Sequence, residues 1–209
     1  DSIRLKARAK INLGLDVIGR RDNGYHDVRM VMQTVGLYDR IIMTRISEDD
    51  IRIRTNIGFL PVNENNLIYK AIMLMKNRYG FSGGVEVDLN KFIPVAAGMA
   101  GGSSDAACAL IGVNRLYDLN VPVKELMKIG VEIGADVPYC LMRGTALAEG
   151  IGEKLTRLPD MPDCNILIAK PPINVSTRIV YENLDMKEIV EHPDIDGIIE
   201  AIRTKDVAM

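Results

Sequence analysis

One stretch constrains this chain more than any other: Pro94-Val95-Ala96-Ala97-Gly98-Met99-Ala100-Gly101-Gly102-Ser103-Ser104-Asp105-Ala106-Ala107. Before it, Val85, Val87 and Leu89 alternate with polar residues at the period of a half-buried strand. After it, Ala106, Ala109, Leu110, Val113 and Leu116 recur at helical spacing. A strand ending near Ile93 therefore passes through a glycine-rich turn into an apolar helix beginning near Ser104. Glycine takes positive φ without a Cβ penalty and lets backbone approach a ligand closely. A helix start adds unpaired N–H groups at the positive end of the macrodipole. The combination is an anion cradle suited to phosphate. Ser103 and Ser104 carry hydroxyls able to cap the helix or to meet phosphate or a magnesium-bound water. No Gly-Lys-Ser/Thr follows, so this is not a Walker loop, and the glycine spacing is not the dinucleotide fingerprint. Gly-Gly alone is equally well explained as a tight turn. Three glycines, two serines and a helix of small residues within ten positions favour phosphate.

Around this junction the pattern is mixed. Ile11, Leu13, Leu15 and Val17 alternate with Asn12, Gly14 and Asp16, and Ile51 and Ile53 with Arg52 and Arg54, which predicts strands. Val28 to Val35 is a further strand candidate, and Gly19 to Gly24 a polar turn. Leu67, Ala71, Leu74 and Met75 predict a helix ending near Gly80, and Val123, Leu126, Met127 and Val131 another. Short strands are expected at Tyr139–Met142, Thr145–Glu149 and Ile166–Ala169, and helices near Thr177–Leu184 and Ile195–Arg203. The sum is an α+β layered fold. The Pro- and Asp-rich segment Pro159–Pro162 is the expected domain boundary, dividing 1–158 from 159–209.

Composition removes several classes of function. The 209 residues, 47% hydrophobic and 26% charged, suffice for a core without covalent staples. Cys108, Cys140 and Cys164 form no CxxC pair and read as buried thiols of a reducing compartment. The net charge of −2, with Lys and Arg scattered, offers no basic face for nucleic acid. No apolar run approaches the roughly 20 residues that span a bilayer. The chain opens at Asp1 with neither an initiator methionine nor a basic-then-apolar signal pattern, which leaves trimmed ends open. The acidic run Glu48–Asp49–Asp50 reads as a solvated turn, and no His/Cys/carboxylate cluster predicts a zinc or iron site.

Pro94-x-x-x-Gly98-x-x-Gly101-Gly102-Ser103-Ser104 resembles the central ATP motif of the GHMP small-molecule kinases. Two further stretches are similar to one branch of that family, the branch acting on a cytidine-diphosphate-linked methylerythritol. They are Ala9–Leu13 with Gly19-Arg20-Arg21-Asp22-Asn23-Gly24-Tyr25-His26, and Gly134-Ala135-Asp136-Val137-Pro138 with Gly144–Ala146 and Glu149–Glu153. The resemblance runs in register from about Leu5 to Leu184. Its glycine loop usually carries Leu-Gly where this chain has Met99-Ala100, so Ala100 must adopt the loop's backbone angles with a Cβ. Family members also continue past Met209 with a second glycine-rich motif, which implies a chain lacking that part.

The resemblance implies a two-domain GHMP-kinase fold, its N-terminal α/β domain like ribosomal protein S5 and its C-terminal domain ferredoxin-like and incomplete here. It implies ATP and Mg²⁺ as cofactors and phosphorylation of the substrate's 2-hydroxyl, in the non-mevalonate route to isoprenoid precursors. It further implies a bacterial cytosol or plastid stroma, and a monomer or homodimer. Asp136 is then the base that accepts the hydroxyl proton; read alone, it is a turn aspartate. Lys10 is its cationic partner; read alone, it is a solvated strand-end lysine. Asn12 lies two residues on and shares a strand face with Lys10. By the same resemblance Tyr25 and Tyr181 sandwich the cytosine and His26 bonds its edge, while Thr177 contacts substrate phosphate or hydroxyls. Pro94, Gly98, Ala100, Gly101, Gly102, Ser103 and Ser104 bind ATP. Asn65 either reads the adenine or caps the helix that follows. The rivals are another GHMP kinase (homoserine, mevalonate or sugar) and a non-catalytic nucleotide-binding fragment. Tyr25, His26 and Tyr181 oppose the first, and retention of Lys10 with Asp136 opposes the second.

Overall fold

The computed structural model describes residues 1–171, 173 and 177–206, with only the backbone of 177 and 178. The chain forms β1 (Ser2–Arg20), β2 (His26–Ile46), β3 (Ile51–Thr55), α1 (Leu67–Tyr79), β4 (Gly84–Asn90) and α2 (Gly101–Leu116). It continues through α3 (Val123–Ile133), α4 (Val137–Met142), β5 (Thr145–Gly150), β6 (Lys154–Arg157), α5 (Thr177–Glu182) and α6 (Ile195–Thr204). It packs as two compact units, each assembled from several stretches. The first unit takes Asp1–Ala9, Val35–Pro94 and Ala100–Met142; the second takes Lys10–Thr34, Val95–Met99 and Arg143–Met209. The long strands β1 and β2, which pair with each other, contribute to both.

In the first unit, β4 pairs antiparallel with the second half of β2, from Arg40↔Asn90 to Ile46↔Gly84. On its other side β4 runs parallel to β3, from Ile51↔Val85 to Thr55↔Leu89. Parallel neighbours need a crossover connection, which here contains α1. Alternation puts Ile41, Met43, Val85, Val87 and Leu89 on one buried face. In the same unit Ile68, Ala71, Ile72 and Met75 of α1, and Ala106, Ala109, Leu110 and Val113 of α2, are also buried, and the two helices pack on each other. Each such Leu, Ile or Met contributes about 1.5–3 kcal/mol by leaving water. The approach of α2 is close, since a β-carbon on Gly112 would stand 2.2 Å from Met43 Sδ. Helix α1 starts and stops by its own caps. Asn66 Oδ1 accepts from Ile68 N, and Gly80 turns left-handed while its N–H bonds Lys76 O.

In the second unit, β5 pairs antiparallel with the first half of β2, from Val28↔Gly150 to Gln33↔Thr145, and β6 flanks β5. Its core gathers Val31, Leu158, Ile195, Ile199 and Ile202, with Leu13, Leu147 and Ile198 packed against them. Asp194 caps α6 by accepting from Gly197 N, and Arg29 holds Asp196 at 2.6 Å.

Several sequence expectations need correcting. Tyr139–Met142 is helical, part of α4. A short, wholly apolar run does not distinguish strand from buried helix, and Pro138 is tolerated in a first helical turn. Ile166–Ala169 forms no strand, and Leu167 is 96% exposed; among the described residues no strand bonds it. Strand β6, with one large apolar residue in four, gave no periodic signal. Helix α2 begins at Gly101, ahead of the expected Ser104. Cys108 and Cys140 are buried as expected, but Cys164 is exposed.

Candidate active site

The glycine-rich loop is built from left-handed backbone. Ala96 (φ 54°), Gly98 (φ 69°) and Ala100 (φ 54°) alternate with residues of ordinary φ. Ala100 is the N-cap of α2 and makes no side-chain bond, and neither serine caps the helix. The first intrahelical bond runs from Ser104 N to Ala100 O at 2.8 Å. The N–H groups of Gly101, Gly102 and Ser103 thus precede the helical ladder and are free to meet an anion. No acidic side chain sits in the first turn to compete with one.

The predicted ATP-binding residues divide by exposure. Pro94, Gly98 and Gly102 are exposed, and Ala100, Gly101 and Ser103 are half-buried. Ser104 is buried, and its hydroxyl donates to Arg8 O at 2.7 Å. That bond ties the helix start to β1 and leaves Ser104 no proton for a phosphate oxygen. Ser103 lies by Gly134, whose β-carbon would stand 3.8 Å from Ser103 Oγ. Asp136 follows two residues later in the same unit. It is half-buried, directly precedes α4, and its carbonyl accepts from Cys140 N. Asn65 is exposed, and its neighbour Asn66 is the helix cap, so the capping alternative for Asn65 falls.

The second unit holds the other residues, and with them the loop segment Val95–Met99. Lys10 is buried, its N–H donates to Met99 O at 3.1 Å, and its ammonium donates to Asn12 Oδ1 at 3.2 Å. The expected shared face of Lys10 and Asn12 is therefore present. The Arg21–Tyr25 turn closes through Arg21 N to Tyr25 O and Gly24 N to Arg21 O, with Gly24 at φ 85°. Arg21 also grips Asp27 at 2.6 Å, and that contact holds the Asp27 carboxyl below its usual range. The turn presents Tyr25 59% exposed and His26 buried. Tyr181 of α5 packs against His26, ring centroids 5.2 Å apart and planes at 33°. His26 Nε2 is buried and has no hydrogen-bond partner, a costly state for a ring nitrogen unless a ligand supplies one. Thr177 opens α5, and its side chain lies outside the described residues.

Sequence reasoning missed a buried ionic cluster in the first unit. Lys91 Nζ donates to Asp39 Oδ2 at 2.5 Å and to Asp105 Oδ2 at 2.7 Å. Asp39 Oδ1 also accepts from the N–H groups of Phe92 and Ile93 at 2.6 and 2.8 Å. Burial, with Asp39 adding to it against the pull of Lys91, lifts the Asp105 carboxyl to about 7. Single charged residues at a strand end and inside an alanine-rich helix disturb no hydrophobic period, so no pattern marked them. Among the described residues no group of three His, Cys, Asp or Glu is placed to cage a metal.

The family model for the GHMP kinases N terminal domain matches residues 66–144. A 4-diphosphocytidyl-2-C-methyl-D-erythritol kinase of Lachnospira eligens is 84% identical over all of this chain and 73% of its own length. One of Caldicellulosiruptor bescii is 51% identical over 98% of this chain and 72% of its own. The chain belongs to the 4-diphosphocytidyl-2-C-methyl-D-erythritol kinase family of GHMP kinases. A crystal structure titled 4-(cytidine 5'-diphospho)-2C-methyl-D-erythritol kinase superposes with a TM-score of 0.79 at 32% identity, covering 97% of this chain and 72% of that one. A homoserine kinase of Cytophaga hutchinsonii aligns at TM-score 0.68 but 19% identity, a likeness of fold alone. The expected GHMP kinase fold of mixed α+β class is thereby confirmed. No helix among the described residues is long and apolar enough to cross a membrane.

Proposed function

We propose that this chain transfers the γ-phosphoryl of ATP to the 2-hydroxyl of 4-diphosphocytidyl-2-C-methyl-D-erythritol, yielding ADP and the 2-phosphate. Beside family membership, one observation carries the substrate: a buried, unpartnered His26 Nε2 lying against Tyr181. That pair asks for a flat ring with hydrogen-bonding edges, as cytosine is. Mevalonate and homoserine offer none. Tyr25, exposed on its pinned turn, supplies a second stacking face, and aromatic stacking is worth roughly 1–3 kcal/mol per base.

Phosphoryl transfer needs alignment and charge stabilisation more than covalent help. The amides of Gly101, Gly102 and Ser103 take the phosphates, with Pro94, Gly98 and Ala100 shaping the turn. Asp136 accepts the proton of the attacking hydroxyl, and Lys10 supplies positive charge as the transferred group gains negative charge. Asn12 orients the Lys10 ammonium and bonds the substrate's polyol. Asn65 reads the adenine, and Thr177 contacts the substrate. Mg²⁺ enters as the ATP complex, since such an ion keeps mostly phosphate and water ligands and needs no protein cage. The boundary at residue 158 remains part of this reading, as do a bacterial cytosolic or plastid-stromal setting and action as a monomer or homodimer.

The test is ADP formation with the cytidine substrate, mevalonate and homoserine, repeated with Asp136→Ala. Turnover is expected with the first alone, and the variant loses about 10²–10⁴ in kcat. Wild-type turnover by Asp136→Ala removes Asp136 as the base, and preference for homoserine or mevalonate removes the substrate.

A further inference from the structure

The segment entering the glycine-rich loop is tied down more tightly than a loop stem requires. The backbone of Lys91 is paired at both its groups by one side chain: Asn56 Oδ1 accepts from Lys91 N at 2.8 Å, and Asn56 Nδ2 donates to Lys91 O at 3.2 Å. The next two N–H groups are held by Asp39, whose other oxygen holds the Lys91 ammonium. The far stem of the loop meets the same point. A β-carbon on Gly101 would stand 3.1 Å from Lys91 Nζ and 3.2 Å from Ile93 Cγ2. Four residues on, Asp105 reaches back from α2 to the same ammonium. Both stems, Lys91–Pro94 and Ala100–Asp105, lie in the first unit. Burying one cation and two carboxylates is costly, and apolar residues of the same volume would fill the space at least as well. The cluster also leaves Asp105 Oδ1 buried without a partner. Its arrangement is therefore better explained by geometry than by stability.

We infer that Lys91 is a positioning residue for phosphoryl transfer, fixing Gly101 and the first turn of α2 relative to the entering stem so that the helix amides meet the ATP phosphates. The inference rests on the ATP reading of the loop above. Lys91 touches no reacting atom; it acts through Gly101. Its neighbours are specific to that task. Asp39 sets its height by holding both the ammonium and the stem, and Asp105 sets its bearing from the helix side. A β-carbon at 101 would stand only 3.1 Å from the ammonium, so it could enter only if Lys91 gave way by a few tenths of an ångström.

Kinetics on the full-length protein separate positioning from mere stability. Lys91→Met leaves two buried carboxyl groups without their cation, so it is paired with Lys91→Met/Asp105→Asn, which removes one of them. The double variant is expected to recover most of the thermal stability lost by Lys91→Met. It keeps a KM for ATP raised about tenfold or more, while KM for the alcohol substrate stays within about twofold. Direct binding of nucleotide in the absence of the alcohol gives a second readout. The loss should grow from AMP to ADP to ATP, as more phosphate depends on the helix start. Asp105→Asn alone is isosteric and supplies the test should both Lys91 variants fail to fold; its KM for ATP should rise by about three- to tenfold with the alcohol KM unchanged. A folded variant that binds ATP as the wild type does overturns the inference, as does a loss equal for AMP and ATP. Failure of the wild type to bind ATP at all overturns instead the reading on which it rests.

Discussion

The two ends of the proposed reaction are recognised by opposite means. At the phosphate end recognition is by backbone: amides ahead of the α2 ladder in the first unit, with Ala100 left-handed at the helix start and a buried ionic cluster beside it. In the second unit the base end is side chain: Tyr25 exposed on a pinned turn, His26 buried with an open nitrogen, Tyr181 against it. A backbone site is indifferent to which side chains decorate it but sensitive to anything that alters φ. A side-chain site is the reverse. The contrast therefore predicts where each kind of substitution does harm.

The sharpest break comes from placing the wrong kind of change at each end. Gly98→Val puts a β-branched residue at φ 69°, where the space around a β-carbon is open but the backbone angle is not. The strain of roughly 1–2 kcal/mol or more distorts the loop, and KM for ATP is expected to rise about tenfold or more. Ser103→Ala, which spares every amide, should change it by less than about threefold. Equal effects from the two would contradict a backbone site. At the other end His26→Leu removes a hydrogen-bonding edge while keeping bulk. KM for the cytidine substrate should rise by about 5- to 30-fold, the worth of one hydrogen bond to a buried partner, with KM for ATP unchanged. A matching rise in both constants would mean that His26 supports the fold and not the base.

A third, smaller effect concerns stability. Burial raises the Asp105 carboxyl from 3.8 to about 7, so folding takes up a proton in that interval. The associated stability is fully present below the unfolded value and is lost as pH rises towards 7. Asp105→Asn has no such group. The difference in Tm, variant minus wild type, should therefore climb between pH 4 and 7 by on the order of 5 °C and then level off. Asp27 and Asp196, whose carboxyls are held low by Arg21 and Arg29, titrate in both proteins and cancel in that difference. A flat difference would show that Asp105 keeps its charge throughout.

What could be read from the sequence followed the same division. The strand–glycine–helix junction, the periodic helices α1, α2, α3 and α6, and strands β1 to β5 were legible because each repeats a hydrophobic period over several residues. The glycine-rich loop was legible because few other functions need so many small residues together. The Lys91–Asp39–Asp105 cluster was not, since three residues from distant stretches carry no local signature and meet only when β2, β4 and α2 pack. Asn66 and not Asn65 caps α1 for a similar reason: two adjacent asparagines look alike until the backbone chooses between them. The run 166–169 looks like a short strand in sequence, but a strand needs a partner, and none of the described residues supplies one.

The smallest effect tests the loop most cleanly. Ala100 stands left-handed at φ 54°, ψ 31° as the N-cap of α2, a conformation that disfavours any residue with a β-carbon. Ala100→Gly relieves that strain but frees the unfolded chain by a comparable amount, so the two contributions oppose. Relief of about 1–2 kcal/mol against an entropic loss of about 0.4–1 kcal/mol leaves a net gain near 0.5–1 kcal/mol. A Tm rise of about 1–4 °C is expected, with ATP kinetics unaltered because the amides do not move. A fall in Tm would mean that the Ala100 methyl packs favourably enough to outweigh the strain. A changed KM for ATP would mean that the loop geometry depends on the residue itself. Either result would blur the separation between backbone and side-chain recognition on which the other predictions stand.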